Sequence, residues 1–212
     1  MGLPGDGVYS TRYQAGAVYN YSKMRDIFTA KFHPGNIIDN PSEERLRDWA
    51  LEQGGVVSEF GNLAVTTRIR NRIAKFTEVV LGEIEDENIK LVGDVLEYLN
   101  GRDVIMLDRV MCQSQAYKKR CRVYVDAQYP RIPLMWGNTL FPAEPGEPDF
   151  ITVTVPDWPE KKVLVFPEAG ITMIMGSDYK GRTRRPCCAR LCTGLKKKGT
   201  SGCMPPARYC VL

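Results

Sequence analysis

The chain has 212 residues, of which 43% are hydrophobic and 25% charged. Both values are close to those of soluble globular proteins, which argues against disorder along the whole length. The formal net charge of +4 is the sum of two unlike parts. Residues 1–180 carry 21 Lys and Arg against 25 Asp and Glu, whereas residues 181–212 carry eight basic residues, no acidic residue and five of the seven cysteines. The larger part therefore has no global attraction for nucleic acid or other polyanions.

The cysteine count and the start of the chain favour a cytoplasmic protein. Seven cysteines, unevenly spread, are not typical of a secreted scaffold in which disulfides connect the whole fold. Residues 1–6 are rich in Gly and Pro and lack the basic and apolar stretches of a secretory leader. No segment approaches the roughly 20 consecutive apolar residues of a membrane helix. We therefore expect reduced thiols and no membrane partner.

Two segments in the first half of the chain predict helices. In residues 41–53, capping residues precede Leu46, Trp49 and Ala50 at helical spacing, and two glycines follow. In residues 86–100, apolar residues recur at offsets of three and four until an Asn-Gly pair ends the pattern. A third segment, residues 126–136, has some helical spacing, but its two prolines argue against a regular helix.

Short apolar or alternating runs predict the strands. They are residues 56–65 (interrupted by Gly61-Asn62), 76–81, 104–107, 122–125, 150–155, 163–166 and 171–175. Residues 141–148 hold three prolines and a glycine, which predicts a loop. Helices that alternate with strands, followed by a cluster of strands, predict an α/β or α+β domain with a mixed β-sheet and flanking helices. We expect this domain to cover residues 1–181, followed by a basic, disordered tail at residues 182–212.

A basic loop between two extended segments is the first candidate site. It holds Arg68, Arg70, Arg72 and Lys75 within eight residues. Guanidinium groups match the paired oxygens of carboxylates and phosphates, so such a loop can hold a small dianion. The alternative is a solvated surface loop whose cations pair with nearby carboxylates.

A glycine-bearing turn after the last strand is the second candidate. The sequence GSDYKG at residues 176–181 follows the strand directly and carries Tyr179. Ligands in open sheets commonly bind where strands end, although a plain turn has the same composition. His33 is the only histidine, and no neighbouring cysteine or acid pair favours it as a catalytic base.

The cysteine-rich tail is compatible with a different function. Its five cysteines could supply zinc thiolates and Lys196-Lys197-Lys198 could contact phosphates, although no pair has C-x2-C spacing. This gives the rival hypothesis of a non-catalytic α/β binding protein with a zinc-binding or nucleic-acid-binding tail. Another alternative is a stand-alone protein that binds a small acid through the basic loop and has a regulatory role.

Four stretches follow one another in the order of a known family: SEFGNLAVTT at residues 58–67, NGRDVIMLD at 100–108, PDFITV at 148–153 and GSDYKG at 176–181. Together they resemble the N-terminal domain of the ATP-type phosphoenolpyruvate carboxykinase family, over about residues 45–181. The family's Gly-Arg-Ser-Pro signature is absent from the basic loop.

The resemblance implies a lyase that converts oxaloacetate and ATP to phosphoenolpyruvate, ADP and carbon dioxide in gluconeogenesis. By resemblance, Arg72 would bind the oxaloacetate carboxylate, Tyr179 would contact the substrate as a catalytic residue, and Lys75 would be a further anion contact. The complete family enzyme uses ATP and a divalent metal, Mn²⁺ or Mg²⁺. The chain has no G-x-x-x-x-G-K-[ST] phosphate loop. We therefore expect an inactive N-terminal portion that binds neither cofactor tightly.

Codon constraints suggest why the resemblance stops near residue 181. If the correct codons begin on the third base of each tail codon, Cys187-Cys188 forces a Leu and Met204-Pro205 forces an Ala. Cys203-Met204 likewise forces a His or Tyr, and the lysine run permits the acidic residues that the tail lacks. We therefore interpret residues 182–212 as out of frame, which sequencing the gene through the codons for residues 179–188 would test.

Overall fold

The computed structural model of the chain describes residues 21–65, 76–115 and 118–178. Within these ranges the helices are α1 (Tyr21–Lys31), α2 (Glu43–Glu52), α3 (Asp86–Asn100) and α4 (Arg131–Gly137). The strands are β1 (Asn36–Asp39), β2 (Val56–Val57), β3 (Leu63–Ala64), β4 (Thr77–Val79), β5 (Asp103–Met111), β6 (Lys119–Asp126), β7 (Phe141–Pro142), β8 (Phe150–Val155), β9 (Lys162–Phe166) and β10 (Ile171–Met175). The tail at residues 182–212 lies outside the described residues.

One mixed sheet forms the centre of the domain. Its strand order is β1-β5-β6-β8-β10-β9-β4, with β7 paired to β5, while β2 and β3 form a separate hairpin. The strands β6, β8 and β10 are neighbours and parallel. The strands β5 and β9 run antiparallel to them on either side. The predicted α/β architecture around a mixed sheet is thus confirmed.

Helices cover both faces of the sheet. On one face, α1 and α3 pack against the alternate residues of β8, β9 and β10, forming a core that includes Leu96, Val153 and Met173. On the other face, α2 and α4 pack against β5 and β6, with Leu46 and Trp136 buried in this layer. This three-layer arrangement follows from strands that are apolar on both faces and helices that are apolar on one.

Most predicted elements match the observed ones. The helix at residues 86–100 and the strands at residues 150–155 and 171–175 have the predicted bounds. The helix α2 begins after Ser42, whose side-chain oxygen accepts a hydrogen bond from the Arg45 backbone N–H. The predicted segment at residues 56–65 is a short hairpin closed around Gly61, which has φ +79°.

Three expectations need correction or extension. Residues 141–148 do not form a loop throughout, because β7 pairs with β5. The helix α4 is regular despite Pro133, because that proline lies in the first turn, where a backbone N–H has no helical partner. The elements α1 and β1 were not predicted. None of the helices in the described ranges is long and apolar enough to cross a membrane.

Candidate functional site

The carboxyl ends of the three central parallel strands meet at one edge of the sheet. An aspartate stands at or just beyond each end: Asp126 closes β6, Asp157 follows β8 and Asp178 follows β10. Of these, Asp126 and Asp178 are buried, whereas Asp157 is exposed. We call these three aspartates and the residues that contact them the carboxyl edge. Ligands of open α/β sheets commonly bind at such an edge.

The turn after β10 has a backbone that only glycine fits. Gly176 has φ +65°, and its N–H donates to the carbonyl oxygen of Val155 at 3.0 Å. A Cβ atom on Gly176 would lie 2.8 Å from the carbonyl oxygen of Glu160, closer than two such atoms can approach. The chain thus bends at Gly176, where the sequence predicts the turn to begin, and the buried Ser177 and Asp178 follow at the carboxyl edge.

A buried ion pair fixes the far end of this turn. A guanidinium nitrogen of Arg131, the first residue of α4, donates to a carboxylate oxygen of Asp178. The same guanidinium lies 5.4 Å from the ring centroid of Tyr129, whose hydroxyl donates to Asp157. Contacts through side chains thus connect the segment after β6 with the ends of β8 and β10.

Tyr129 of the carboxyl edge and the nearby Tyr98 keep their protons. Burial raises the pKa of Tyr129, and the nearby Asp157 carboxylate raises it further because an adjacent negative charge opposes phenolate formation. Burial also raises the pKa of Tyr98, although the Arg102 guanidinium, 4.3 Å from its ring centroid, acts in the opposite direction. Both hydroxyls are therefore neutral hydrogen-bonding groups over the physiological pH range.

Three threonines make one sheet face partly polar along β8 and β10, and Thr154 is the one that lies nearest the carboxyl edge. Thr152 of β8 is in register with Thr172 of β10, and Thr154 lies two residues further along β8. All three are buried on the face that carries α4, because Thr152 is also in register with Val123 of the α4 core. Hydroxyls in the interior need hydrogen-bond partners, so this face is suited to polar contacts as well as apolar packing.

A cleft of about 590 Å³ opens beside the end of β6, lined by Gln53, Gly101, Arg102, Asp103, Asp126, Ala127 and Gln128. Arg102 and Asp126 compensate each other, since Arg102 donates to Asp126 at 2.9 Å, which leaves Asp103 as the other charged lining residue. The other oxygen of Asp126 accepts the Gln128 backbone N–H at 2.9 Å. The cleft is therefore polar, but it carries no strong field of one sign.

The predicted site residues Arg72, Lys75 and Tyr179 lie outside the described residues. Two described segments adjoin them, one that begins at Phe76, directly after Lys75, and one that ends at Asp178, directly before Tyr179. Thr77, two positions after Lys75, is in register with Val163 of β9, which is itself in register with Ile174 of β10. Two strand spacings, about 10 Å, separate these positions. The segments that lead out of the basic loop and into Tyr179 thus lie at the same edge of the sheet.

The residues Asp157, Asp178 and Arg131 were not singled out from the sequence. A signal for the aspartates was present, because each predicted central strand is followed within three residues by an aspartate. No local signal marks Arg131, whose partner is 47 positions away. His33, which the sequence did not favour as a base, is exposed, and its Nε2 lies 3.0 Å from the carbonyl oxygen of Ala30.

The described part of the chain brings together no group of three His, Cys, Asp or Glu side chains that could hold a metal ion. The three aspartates of the carboxyl edge are each engaged with Arg102, Tyr129 or Arg131. These residues do not fit a divalent metal, so we assign no metal-dependent step to them.

No protein-family model matches the chain. The chain is similar to a phosphoenolpyruvate carboxykinase (ATP) of Aeropyrum pernix. The two sequences are 26% identical over 148 residues, which make up 68% of this chain and 29% of that protein. The chain thus spans less than a third of the length of this curated relative. The similarity agrees with the family resemblance of the four sequence stretches, and it does not test the reaction of this chain.

Proposed function

We propose that the chain is the N-terminal portion of an ATP-dependent phosphoenolpyruvate carboxykinase-like enzyme. In this proposal, residues 1–181 form the domain that binds a small dicarboxylate, oxaloacetate or a close analogue. Residues 182–212 are a separate tail that takes no part in this binding. The complete enzyme would convert oxaloacetate and ATP to phosphoenolpyruvate, ADP and carbon dioxide.

One observation carries the proposal. The register from Thr77 through Val163 to Ile174 puts Thr77, two residues after the basic loop, and Ile174, two residues before the Gly176 turn, at one sheet edge. These are the two segments that the family resemblance assigns to substrate binding, and they are more than 100 residues apart in the sequence. A site of this kind needs them close together, and the sheet order supports this. The similarity to the Aeropyrum pernix protein supports the same family.

The family resemblance suggests the proposed roles, and the chemistry of each side chain is suited to its role. Arg72 would bind a carboxylate through two parallel hydrogen bonds, because the guanidinium fork matches the spacing of the two oxygens. Lys75 would add a positive charge without such directionality. Tyr179 would donate a hydrogen bond to the substrate beside the carboxyl edge. These groups bind and orient a dianion, which is the contribution expected of this part of the enzyme.

In the complete enzyme ATP would supply the phosphoryl group, and a divalent metal would neutralise the charge that develops on it during transfer. The described residues do not form a metal site, and the sequence has no phosphate loop. We therefore derive no step through either cofactor. We expect the purified chain to show no oxaloacetate decarboxylation that depends on ATP and Mn²⁺, and measurable turnover above background would contradict this.

Titration calorimetry of the purified chain with oxaloacetate tests the proposal. We expect saturable binding that Arg72→Ala removes and that Tyr179→Phe weakens. Lys90→Ala, which removes an exposed cation on α3, is the matched control and should bind as the unaltered chain does. Equal affinities of the Arg72→Ala and Lys90→Ala variants, or no binding at all, would contradict the proposal. Stoichiometric zinc on the reduced protein would favour the zinc-binding tail instead.

A further inference from the structure

The buried ion pair between α4 and the turn after β10 has a consequence for ligand binding. We infer that Arg131 is a positioning residue that holds the turn of Gly176, Ser177 and Asp178, the three residues that lead into Tyr179. The inference rests on the proposed function, because it takes Tyr179 as a ligand contact. Arg131 itself is not placed against the ligand.

Because both side chains are buried, the stability of this ion pair depends strongly on the distance between them. The side chain of Arg131 is 8% exposed and that of Asp178 is fully buried. A charge in such an environment is stable only when an opposite charge and hydrogen bonds compensate it. A displacement of the turn that separates the carboxylate from the guanidinium is therefore strongly opposed. The pair thus favours one position of the Asp178 side chain.

The support for Arg131 is rigid. It is the first residue of α4, and the following residues Ile132, Leu134 and Trp136 are buried in the cores between α2, α4 and the sheet. The planar guanidinium donates in fixed directions, so it constrains its partner more than a lysine ammonium would. The Arg131 side chain therefore transmits the position of α4 to the turn.

The other end of the turn is fixed by the sheet. The N–H of Gly176 donates to Val155 in β8, and its Cα approaches Glu160 so closely that no side chain fits. Only Ser177 lies between this anchor and Asp178. With both ends fixed, the backbone that leads into Tyr179 has little freedom of direction. Loss of the ion pair releases one of the two anchors.

Three variants separate positioning from stability. Arg131→Met leaves the Asp178 carboxylate buried without this cation. The double variant Arg131→Met/Asp178→Leu removes both charges, and apolar residues in place of a buried ion pair often keep or raise stability. Arg122→Met is the matched control, because it also removes the arginine partner of a buried aspartate, Asp108, at a distant position. Each variant is made in the full chain.

The measurements are the melting temperature, amide hydrogen exchange of residues 176–178 and calorimetric affinity for oxaloacetate. We expect faster exchange of the turn in both Arg131 variants, with exchange in α3 unchanged in the double variant. We expect the double variant to melt near the unaltered chain and yet bind oxaloacetate roughly tenfold or more weakly, since a small misplacement of a contact costs that much. Arg122→Met should lower the melting temperature and leave turn exchange and affinity unchanged.

The outcomes distinguish the inference from the proposed function. Unchanged turn exchange in the double variant, or full affinity with normal stability, would overturn the positioning role of Arg131. If the unaltered chain does not bind oxaloacetate while the double variant still exchanges faster at the turn, the hold on the turn is supported and the proposed function alone fails. Loss of affinity in Arg122→Met as large as in the double variant would show a general effect of destabilisation and would also overturn the inference.

Discussion

Arg122 and Asp108 face each other across the β5–β6 pair, and two guanidinium nitrogens donate to the two carboxylate oxygens at 2.7 Å each. The Asp108 side chain is 6% exposed and that of Arg122 is 18% exposed. The hydrogen bond to Asp108 raises the pKa of Arg122 above its usual range, so the guanidinium stays charged at every relevant pH. The pair also compensates the charge of Asp108, so β5 can continue through this residue to Met111.

We expect Arg122→Met to lower the free energy of unfolding by about 3 kcal/mol, because it leaves the buried Asp108 carboxylate without its partner. Urea unfolding measures the change. Lys119→Met is the control, since it removes an ion pair with Asp149 in which both side chains are more than a third exposed. Exposed pairs contribute less than about 1 kcal/mol. Equal losses in the two variants would contradict the assigned role of burial.

Gly176→Ala tests the turn after β10. At φ +65° any side chain is strained, and the added Cβ also meets the Glu160 carbonyl oxygen. Gly61→Ala has a similar φ of +79° but open space around the Cβ position, so it isolates the conformational cost of about 1 kcal/mol. We expect Gly176→Ala to cost at least about 1 kcal/mol more in urea unfolding. A cost no larger than that of Gly61→Ala would mean that the turn tolerates a side chain.

Asn100→Ala tests how α1 is attached to the domain. The Asn100 side chain accepts from the His33 backbone N–H at 2.7 Å and donates to the Lys31 carbonyl oxygen at 2.8 Å. Loss of the Asn100 side chain should lower the free energy of unfolding by about 1 kcal/mol and speed hydrogen exchange in α1. Asn36→Ala, which removes one exposed hydrogen bond to Asp103, is the control and should leave exchange in α1 unchanged.

The raised pKa of Tyr129 predicts a loss of stability in alkali. Its folded-state pKa lies above the ordinary value of 10.0. The contribution to stability is therefore complete below about pH 10 and is lost as the pH rises from there toward the folded-state pKa. We will compare the free energy of unfolding of Tyr129→Phe and of the unaltered chain by urea unfolding from about pH 8 to pH 11.5. We expect it to fall less steeply above about pH 10 in Tyr129→Phe than in the unaltered chain.

Tyr98→Phe is the comparison for this measurement. Arg102 lowers the Tyr98 pKa and so offsets part of the effect of burial. Tyr98→Phe should therefore reduce the loss of stability above about pH 10 by less than Tyr129→Phe does. Parallel curves for the unaltered chain and Tyr129→Phe would contradict the contribution of Tyr129.

Local patterns predicted the elements whose residues have a clear period. The helix α3 has apolar residues at offsets of three and four, and β8 and β10 are short apolar runs bounded by turns, so their bounds agree with the prediction. The helix α1 and the strand β1 were missed. The four residues of β1 are stabilised by pairing with β5, and α1 by its packing on the sheet and its contact with Asn100. These contacts join residues far apart in the chain, so the local sequence does not indicate them.

The local sequence also failed to predict where β5 ends. The prediction stopped at residue 107, before the charged pair Asp108-Arg109, whereas the strand continues to Met111. The charge of Asp108 is compensated across the sheet by Arg122, and a pattern along one strand contains no information about its neighbour. Arg109 is half-buried, and burial lowers its pKa.

The α/β class, most of the strands and helices, and the order of the stretches that resemble a carboxykinase domain could all be predicted from the amino-acid sequence. These features depend on residues within a few positions of each other, where periodicity and turn chemistry act. That β6, β8 and β10 end side by side, and that Arg131 contacts Asp178, became apparent only from the folded domain. Sheet order and buried ion pairs join residues far apart in the chain, and their stability depends on the burial that the assembled layers create.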